Sequence, residues 1–401
     1  MRSASCHGRR PFYQWPFQQS ITGQLEHTAP ARVKQFLGDS VIVCSTRVAT
    51  VRYWPRTAGG EMRRVTTMAD VAREAMVSTA TVSRVLDGRT DVDPALVKRV
   101  HAAVERLSYR PNRVARSLRT KRSTVWSLII SDVRNSFFTD VAMAVEVVAE
   151  SAGYSVVLCN SQEDLDRESR YLHLAAAERM AGVILSPESG ADTDVGVLVA
   201  MGVHVVTVDR RLERHSVDHV IVDNALGGEL AVAHLAENGF DRIACITGPA
   251  TTTTGSERLV GYRRGLAKFG LTSTSDLVRI GDFREGSGYE AMRSLLDLAD
   301  RPDAVFVAND LMTVGALRAI DGAGLAIPRD MAVVGFDDTP WAPLVRPPLT
   351  TVAQPTYDVG GEAARLLLSR IQGYRGAVRE VLLEPTMRVR ASSVASPGTS
   401  P

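Results

Sequence analysis

Seven short apolar runs, "VWSLII", "SVVLCN", "MAGVILS", "HVVTVD", "RIACITG", "AVFVAND" and "AVVGFDD", punctuate the chain between Val125 and Asp338, with helical patterns between most of them. A strand that is apolar on both faces has to be covered on both faces, and helices alternating with parallel strands provide that cover. The pattern therefore predicts an α/β fold with parallel sheets, whose ligands sit beyond the carboxyl ends of the strands. Each run ends in or is followed by a polar residue: Ser131, Asn160, Ser186, Asp209, Thr247, Asn309 and Asp337. Singly, each reads as an ordinary strand-end or capping residue. Together with Arg258 and Phe283 they make a candidate small-molecule site.

Length and composition set the outer bounds. At 401 residues, 45% hydrophobic and 23% charged, the chain can bury a core and hold two or three globular units. No run approaches the roughly 20 apolar residues of a membrane span, and "MRSASCHGRRPFYQWPFQQS" lacks the apolar middle of a signal peptide. A cytoplasmic, nucleoid-associated protein with no membrane partner is expected. Cys6, Cys44, Cys159 and Cys245 are far apart and form no CxxC or Cys/His pattern, so neither a disulfide nor a metal site is predicted. His204, His215, His219 and His234 are scattered, which suits surface or packed histidines better than ligands. There is no P-loop, HExxH or GxSxG, and "GDFREGSG" has neither the spacing nor the preceding strand of a dinucleotide fingerprint. The expectation is a protein that is not an enzyme and carries no cofactor.

Charge is distributed unevenly. Residues 62–122 carry 14 Lys/Arg against 6 Asp/Glu, residues 1–61 carry 8 against 3, and the remaining 279 residues carry a net charge of −11. A small basic module joined to a larger acidic body fits polyanion binding by the first. Within it, "MADVAREAMVSTATVSRVLDG" starts with Thr67 as a cap and Asp70 as its capping-box partner. Val71, Ala72 and Ala75 then form a short buried face. Ser78 caps a second helix whose Val82, Val85 and Leu86 point inward, leaving Thr79, Ala80, Ser83 and Arg84 outside. Small and hydroxyl-bearing residues at the start of that helix permit close approach to base-pair edges, and Arg84 can fork onto guanine O6 and N7. A third helix starts at Asp93 and Pro94 and places Val97, Val100, Val104 and Leu107 under the first two.

The next stretch, "YRPNRVARSLRTKRS", has Asn112 as a cap followed by Arg113, Arg116, Arg119, Lys121 and Arg122. It is too short to be helical alone and needs DNA or a partner helix to order it. Leu118, apolar among cations, suits a wedge between base steps in the minor groove.

These two stretches resemble the DNA-binding headpiece and hinge helix of the lactose-repressor/galactose-repressor family of bacterial transcription regulators. The resemblance implies that Thr79, Ala80 and Arg84 read bases, that Ser78, Thr81, Ser83 and Asn112 hold phosphate, and that Leu118 intercalates. Thr67, Arg113 and Ala115 complete the DNA-facing set. One departure is Met76, which stands where the family usually has a turn glycine. Further stretches, among them "SFFTDVAMAVEVVAESAGYSVV", "GSERLVGYRRGL" and "MAVVGFDDTPWAPLVRPPLTTVAQP", extend the likeness from about Thr66 to near Arg390. The family's regulatory part has the two-lobed fold of periplasmic sugar-binding proteins. The resemblance places effector contacts on Asn135, Phe137, Phe138, Ser186, Asp209, Arg258, Phe283, Asn309 and Asp337. Their chemistry suits a polyol, a nucleoside or a small acid, and a sugar or derivative is the expected effector. Water hydrating Arg258 and Asp337 in an empty cleft would make their truncation cost little stability.

The expected architecture is an all-α helix-turn-helix headpiece (62–110), a hinge helix or linker (111–122), a two-lobed periplasmic-binding-protein-like α/β effector and dimerisation domain (123–392) and a disordered tail (393–401). Residues 1–61 match no pattern. Met62 lies just ahead of the headpiece, which favours upstream sequence translated from a mis-assigned start over a basic arm. The whole reads as a homodimeric repressor on a near-palindromic double-stranded operator, with a ligand between the lobes shifting its conformational population. The rival is a two-lobed solute-binding protein with no DNA role, which would carry a secretory signal and no headpiece.

Overall fold

The computed structural model describes residues 66–86, 88–89, 91–109 and 123–394. They fall into two compact units, one on either side of the 110/111 boundary. The expectations for residues 1–61 and for Asn112, Arg113, Ala115 and Leu118 lie outside the described residues.

The first unit is three helices: α1 (Met68–Glu74), α2 (Thr79–Leu86) and α3 (Pro94–Arg106). The Thr67 hydroxyl accepts from the Asp70 amide at 3.3 Å while the Asp70 carboxylate accepts from the Thr67 amide at 2.9 Å, closing the capping box. Ser78 accepts from the Thr81 amide at 3.0 Å, and Asp93 accepts from the Ala95 amide at 2.8 Å ahead of Pro94. Val71, Ala72, Ala75, Val82, Val85, Val100, Ala103 and Tyr109 form the core, with Val97, Val104, Leu86 and Leu107 partly buried around it. Thr79, Ala80 and Arg84 are exposed on α2. Ser83 differs from expectation: it is buried at 9% exposure, because the short helix turns it toward the core side rather than outward.

The turn between α1 and α2 puts Met76 at φ 51°, with its side chain 80% exposed. A bulky L-residue thus adopts the left-handed conformation that glycine takes without strain. Arg99 of α3 holds this turn, donating to the Ala75 carbonyl at 2.6 Å and the Met76 carbonyl at 3.0 Å.

The second unit has twelve strands in two six-stranded sheets. The first sheet runs β11-β5-β4-β3-β1-β2 and the second β12-β10-β9-β8-β6-β7. The strands are β1 (Val125–Ile130), β2 (Ser155–Asn160), β3 (Gly182–Leu185), β4 (His204–Val208), β5 (Asp218–Val222), β6 (Ile243–Thr247), β7 (Val278–Ile280), β8 (Ala304–Val307), β9 (Ala332–Phe336), β10 (Thr350–Ala353), β11 (Glu380–Leu383) and β12 (Thr386–Arg388). All pairings are parallel except β10 with β12. Among the described residues eight α-helices accompany them: α4 (Ser136–Ser151), α5 (Leu165–Ala177), α6 (Gly196–Ala200), α7 (Asn224–Glu237), α8 (Thr253–Lys268), α9 (Glu285–Leu296), α10 (Asp310–Gly322) and α11 (Thr356–Ile371).

The chain passes between the lobes three times: after β5, after β10 and between β11 and β12. The seven apolar runs all form strands, whereas β5, β7, β10, β11 and β12 were not anticipated; β7 and β12 have only three residues each, and β11 alternates exposed and half-buried positions. Ser393, assigned to the tail by pattern, instead accepts a place in the second lobe: it is fully buried and its hydroxyl lies 2.8 Å from His234 Nε2 and 2.6 Å from the Thr350 hydroxyl.

The Met76 turn yields a stability prediction. Met76→Gly removes the left-handed penalty at a modest cost in unfolded-chain entropy, so the first unit should gain about 1 kcal/mol, read as a higher urea midpoint for its unfolding. An unchanged or lower midpoint would show that the turn carries no strain.

Candidate functional site

The carboxyl ends of the strands of both lobes face one cleft. Eight of the nine residues expected there line it: Asn135, Phe137, Phe138, Asp209, Arg258, Phe283, Asn309 and Asp337. The ninth, Ser186, does not. It is fully buried behind the wall, where its hydroxyl lies 3.3 Å from that of Ser131 and donates to Asp209 at 3.5 Å. Asn160 and Thr247 are turned elsewhere, Asn160 accepting from the Val133 amide in a loop and Thr247 donating to the Gly255 carbonyl in the first turn of α8.

Local structure explains each position. Asn135 caps α4 by accepting from the Phe137 amide at 2.9 Å, which starts the helix at the cleft and delivers Phe137 and Phe138 edge to face, 5.0 Å between centroids. Asn309 caps α10 through the Met312 amide at 3.0 Å and donates to the Phe283 carbonyl at 3.0 Å. That bond fixes a residue held at φ 62°. The Phe283 ring lies over Gly248, where a Cβ would come within 1.9 Å of it, so only glycine admits the ring. Asp209 and Asp337 also hold left-handed backbone, at φ 67° and 77°. Positive φ at three cleft residues is strain concentrated where a ligand would sit.

Arg258 is carried by α8, whose backbone packs directly on α7: a Cβ at Gly261 would lie 2.0 Å from the Ala225 carbonyl. The guanidinium is 3% exposed; it donates to Asn224 Oδ1 at 2.8 Å and to the Ala308 carbonyl at 2.6 Å, and stacks 3.8 Å from the Phe336 centroid. The expectation that water hydrates Arg258, so that its loss costs little, is therefore corrected. Truncation would leave buried acceptors unpaired and remove a stacked cation. Asp337 is likewise buried and accepts from Gln354 at 2.5 Å.

Pattern reading missed Asp132, Glu163, Arg210, Thr254, Arg284, Leu311 and Gln354, which complete the lining. Arg210 directly follows a strand-end aspartate in "VDRR", a signal that could have pointed to it; Glu163 and Gln354 sit in loops without a pattern. Arg210 is buried, bonded to Glu163 through two nitrogens at 2.9 and 3.0 Å and to Glu188 at 3.4 Å, and lies 5.5 Å from the Phe283 centroid in the other lobe. Its Nε and the Thr254 hydroxyl are buried without a hydrogen-bond partner among the described residues. Burial raises the Asp209 and Asp337 carboxyls despite the opposing pull of Arg210 and Arg258. Burial and Asp337 push Asp310 up to about 7, while burial and Glu163 push Glu188 up to about 9. At Glu163 burial acts in the same upward direction, but Arg210 outweighs it and holds the carboxyl low. Further bonds cross between the lobes: Arg284 to the Gln162 carbonyl at 2.9 Å, Arg211 to Glu257 at 2.7 Å, and Ser136 to Asp310 at 3.4 Å.

Among the described residues no helix is long and apolar enough to cross a membrane, and no group of three or more His, Cys, Asp or Glu could hold a metal ion.

Comparison with known proteins places both units. Residues 67–112 match the model "Bacterial regulatory proteins, lacI family", and residues 232–393 match the periplasmic binding protein-like domain. The HTH-type transcriptional regulator CelR of Thermobifida fusca is 39% identical over 83% of this chain and 99% of its own length. The ribose operon repressor of Escherichia coli (strain K12) is 36% identical over 82% and 99%. The Lac repressor dimer, solved bound to operator and the anti-inducer ONPF, is 30% identical with a TM-score of 0.74, over 83% of this chain and 100% of that one. The helix-turn-helix unit, the two-sheet α/β unit and these matches over nearly the whole length of each relative agree: the chain belongs to the lacI family of bacterial regulatory proteins.

Proposed function

We propose that this chain is a cytoplasmic, homodimeric repressor that reads a near-palindromic operator with residues 62–110 and 111–122 and changes its grip when a neutral sugar binds between the lobes of 123–392. The non-enzymatic reading goes with it, supported by relatives named as transcriptional regulators and repressors. On the headpiece, exposed Thr79, Ala80 and Arg84 support base contact, with Ser78 and Thr81 at the same helix start. Dimerisation is supported by apolar residues left exposed in the second unit: Met143 and Val147 on α4, Val157 and Leu158 on the edge strand β2, and Ile280 on the edge strand β7. The Lac repressor relative is itself a dimer on operator.

The observation that carries the effector assignment is the cleft's charge balance. Asp132, Glu163, Asp209 and Asp337 line it, and the guanidiniums beside them are already engaged: Arg210 by Glu163, Arg258 by Asn224 and Ala308, and Arg284 by Gln162. Four carboxylates outnumber the three lining guanidiniums, so an anionic ligand would meet a wall without a surplus of positive charge. Ligand hydroxyls can instead donate to those carboxylates and accept from Thr254, while a sugar ring lies on Phe283. Of the polyol, the nucleoside and the acid, this favours the polyol. The relative named a ribose operon repressor is consistent with that choice.

Three outcomes test the proposal. Neutral pentoses and hexoses should include one that raises the melting temperature of the full chain, whereas sugar phosphates and organic acids should not act through this cleft. Asp209→Asn, which tolerates the left-handed backbone, should weaken that sugar's binding at least about tenfold and abolish its effect on operator binding. A retained sugar response would remove Asp209 from the site.

Arg84→Ala should lose about 1–3 kcal/mol of discrimination among operator variants if it forks onto guanine, measured by gel-shift competition. Unaltered preference would exclude it from the readout.

Glu188 holds its proton in the folded protein up to about 9 but releases it near 4.5 when unfolded. Folding then takes up a proton between those values, so this group's stabilisation is complete below the unfolded value and falls as pH rises toward the folded one. Glu188→Gln keeps a neutral side chain throughout. The wild-type melting temperature should therefore drop more steeply across that window than the variant's, and parallel curves would show that Glu188 is ionised in the fold.

A further inference from the structure

A second cavity, distinct from the interlobe cleft, opens at the opposite, amino-terminal edge of the first sheet and has a volume of about 470 Å³. It is walled by the residues that lead into β1, β3 and β4, including Ser123, Ala181 and His204. A shallower depression adjoins it, sharing Val203, His204 and Arg375.

Its charge is opposite to that of its surroundings. Residues 123–401 carry a net charge of −11, yet among the described residues no carboxylate lines this cavity, while two guanidiniums do. Arg375 donates only to main-chain carbonyls, those of Arg370 and Tyr374, at 3.1 and 3.3 Å. The Arg179 side chain makes no hydrogen bond or ion pair among the described residues. Among the described residues of the adjoining depression the one carboxylate, Asp218, is held by Arg370 and Arg379 at 2.5 and 2.6 Å, and it bonds to neither Arg179 nor Arg375. Arg179 also sits at φ 49° just after α5, a place where glycine would be unstrained. Burial, with help from Arg375 and Arg370, pushes the His204 imidazole below its usual range, as a locally positive field requires.

Beside the arginines, Ser123 and His204, the wall carries apolar side chains. Met180, Met201 and Ile371 line it together with Tyr154, whose ring stacks on the fully buried Trp126 at 5.0 Å between centroids. Unopposed cations beside an apolar, aromatic wall in a concavity of this size form an amphipathic ligand site.

We propose that this cavity is a second small-molecule site, taking an organic anion whose carboxylate or phosphate head is held by Arg179 and Arg375 and whose apolar body, about one ring in size, lies against Met180 and Tyr154. Ser123, on its wall, directly follows the basic segment 111–122 in the sequence. Occupancy therefore touches the chain where that segment joins the second unit.

Calorimetric titration of the full chain with phenyl phosphate, inorganic phosphate and benzamide tests the assignment. Phenyl phosphate should bind saturably at one site per chain, change the Trp126–Tyr154 emission, and bind roughly tenfold more weakly to Arg375→Gln and to Arg179→Gly, both exposed positions whose replacement leaves the core intact. Asp209→Asn should bind it as the wild type does. The proposal is overturned by an absence of saturable binding, by equal affinity in both arginine variants, or by loss of binding in Asp209→Asn, which would put the anion in the interlobe cleft. It is overturned equally if inorganic phosphate binds as tightly, since the apolar wall then contributes nothing, or if benzamide does, since the charge then contributes nothing.

Discussion

Two guanidiniums, Arg210 and Arg258, are buried at the carboxyl ends of the two sheets, and the ligand cleft depends on how each is neutralised. A bare cation in such surroundings is prohibitive; one enclosed by carboxylates and carbonyls is tolerated and becomes rigid. Arg210 gathers Glu163, Glu188 and Asp209, while Arg258 ties α8 to Asn224 of α7 and to the strand end at Ala308. The same bonds that permit burial also fix the carboxylates on the walls. The preference proposed for neutral hydroxyl-bearing ligands rests on the lining carboxylates outnumbering the lining guanidiniums, four to three.

Much of this was readable from residue order. Six of the seven strands announced themselves because central parallel strands are apolar throughout, the seventh, β2, being an edge strand whose apolar residues stay largely exposed, and the capping residues Thr67, Ser78 and Asp93 marked three helix starts. Edge and crossover strands were silent: "TMR" and "EVLL" are too short or too exposed on one side to stand out from loops. In the cleft, strand-end polarity and family likeness reached the residues on strands and helix caps. They did not reach Glu163, Arg284 or Gln354, whose places are set by loop conformation and by pairing across the lobes. Ser186 was misplaced for a related reason. It does stand at a strand end, but one whose side chain faces the interior, and alternation along so short a run does not reveal which side is which. Ser83 failed in the same way on a helix of only eight residues.

The hydration assumed for Arg258 was the larger error. A charged residue at a cleft is easily taken as facing water, whereas this one is bonded to the protein on several sides. A residue so placed serves the fold, and any further role toward the proposed ligand separates from that one only with substitutions that keep shape and change charge.

The three passages of the chain between the lobes bear on biosynthesis. The first lobe needs α11 and β11, which are encoded after nearly all of the second lobe, so it lacks one edge strand and a covering helix until about residue 383 has left the ribosome. Until then β5 presents an unpaired edge and α4 lacks the helix it packs against, the kind of exposed surface that recruits chaperones or aggregates. Closing the first sheet requires contact between β5 and β11, more than 150 residues apart in sequence, a long-range step that slows folding. A chain terminated anywhere before β11 would thus leave both the effector cleft and the first lobe unfinished, while its headpiece, made of local contacts near the start, would already be complete and able to occupy DNA without regulation.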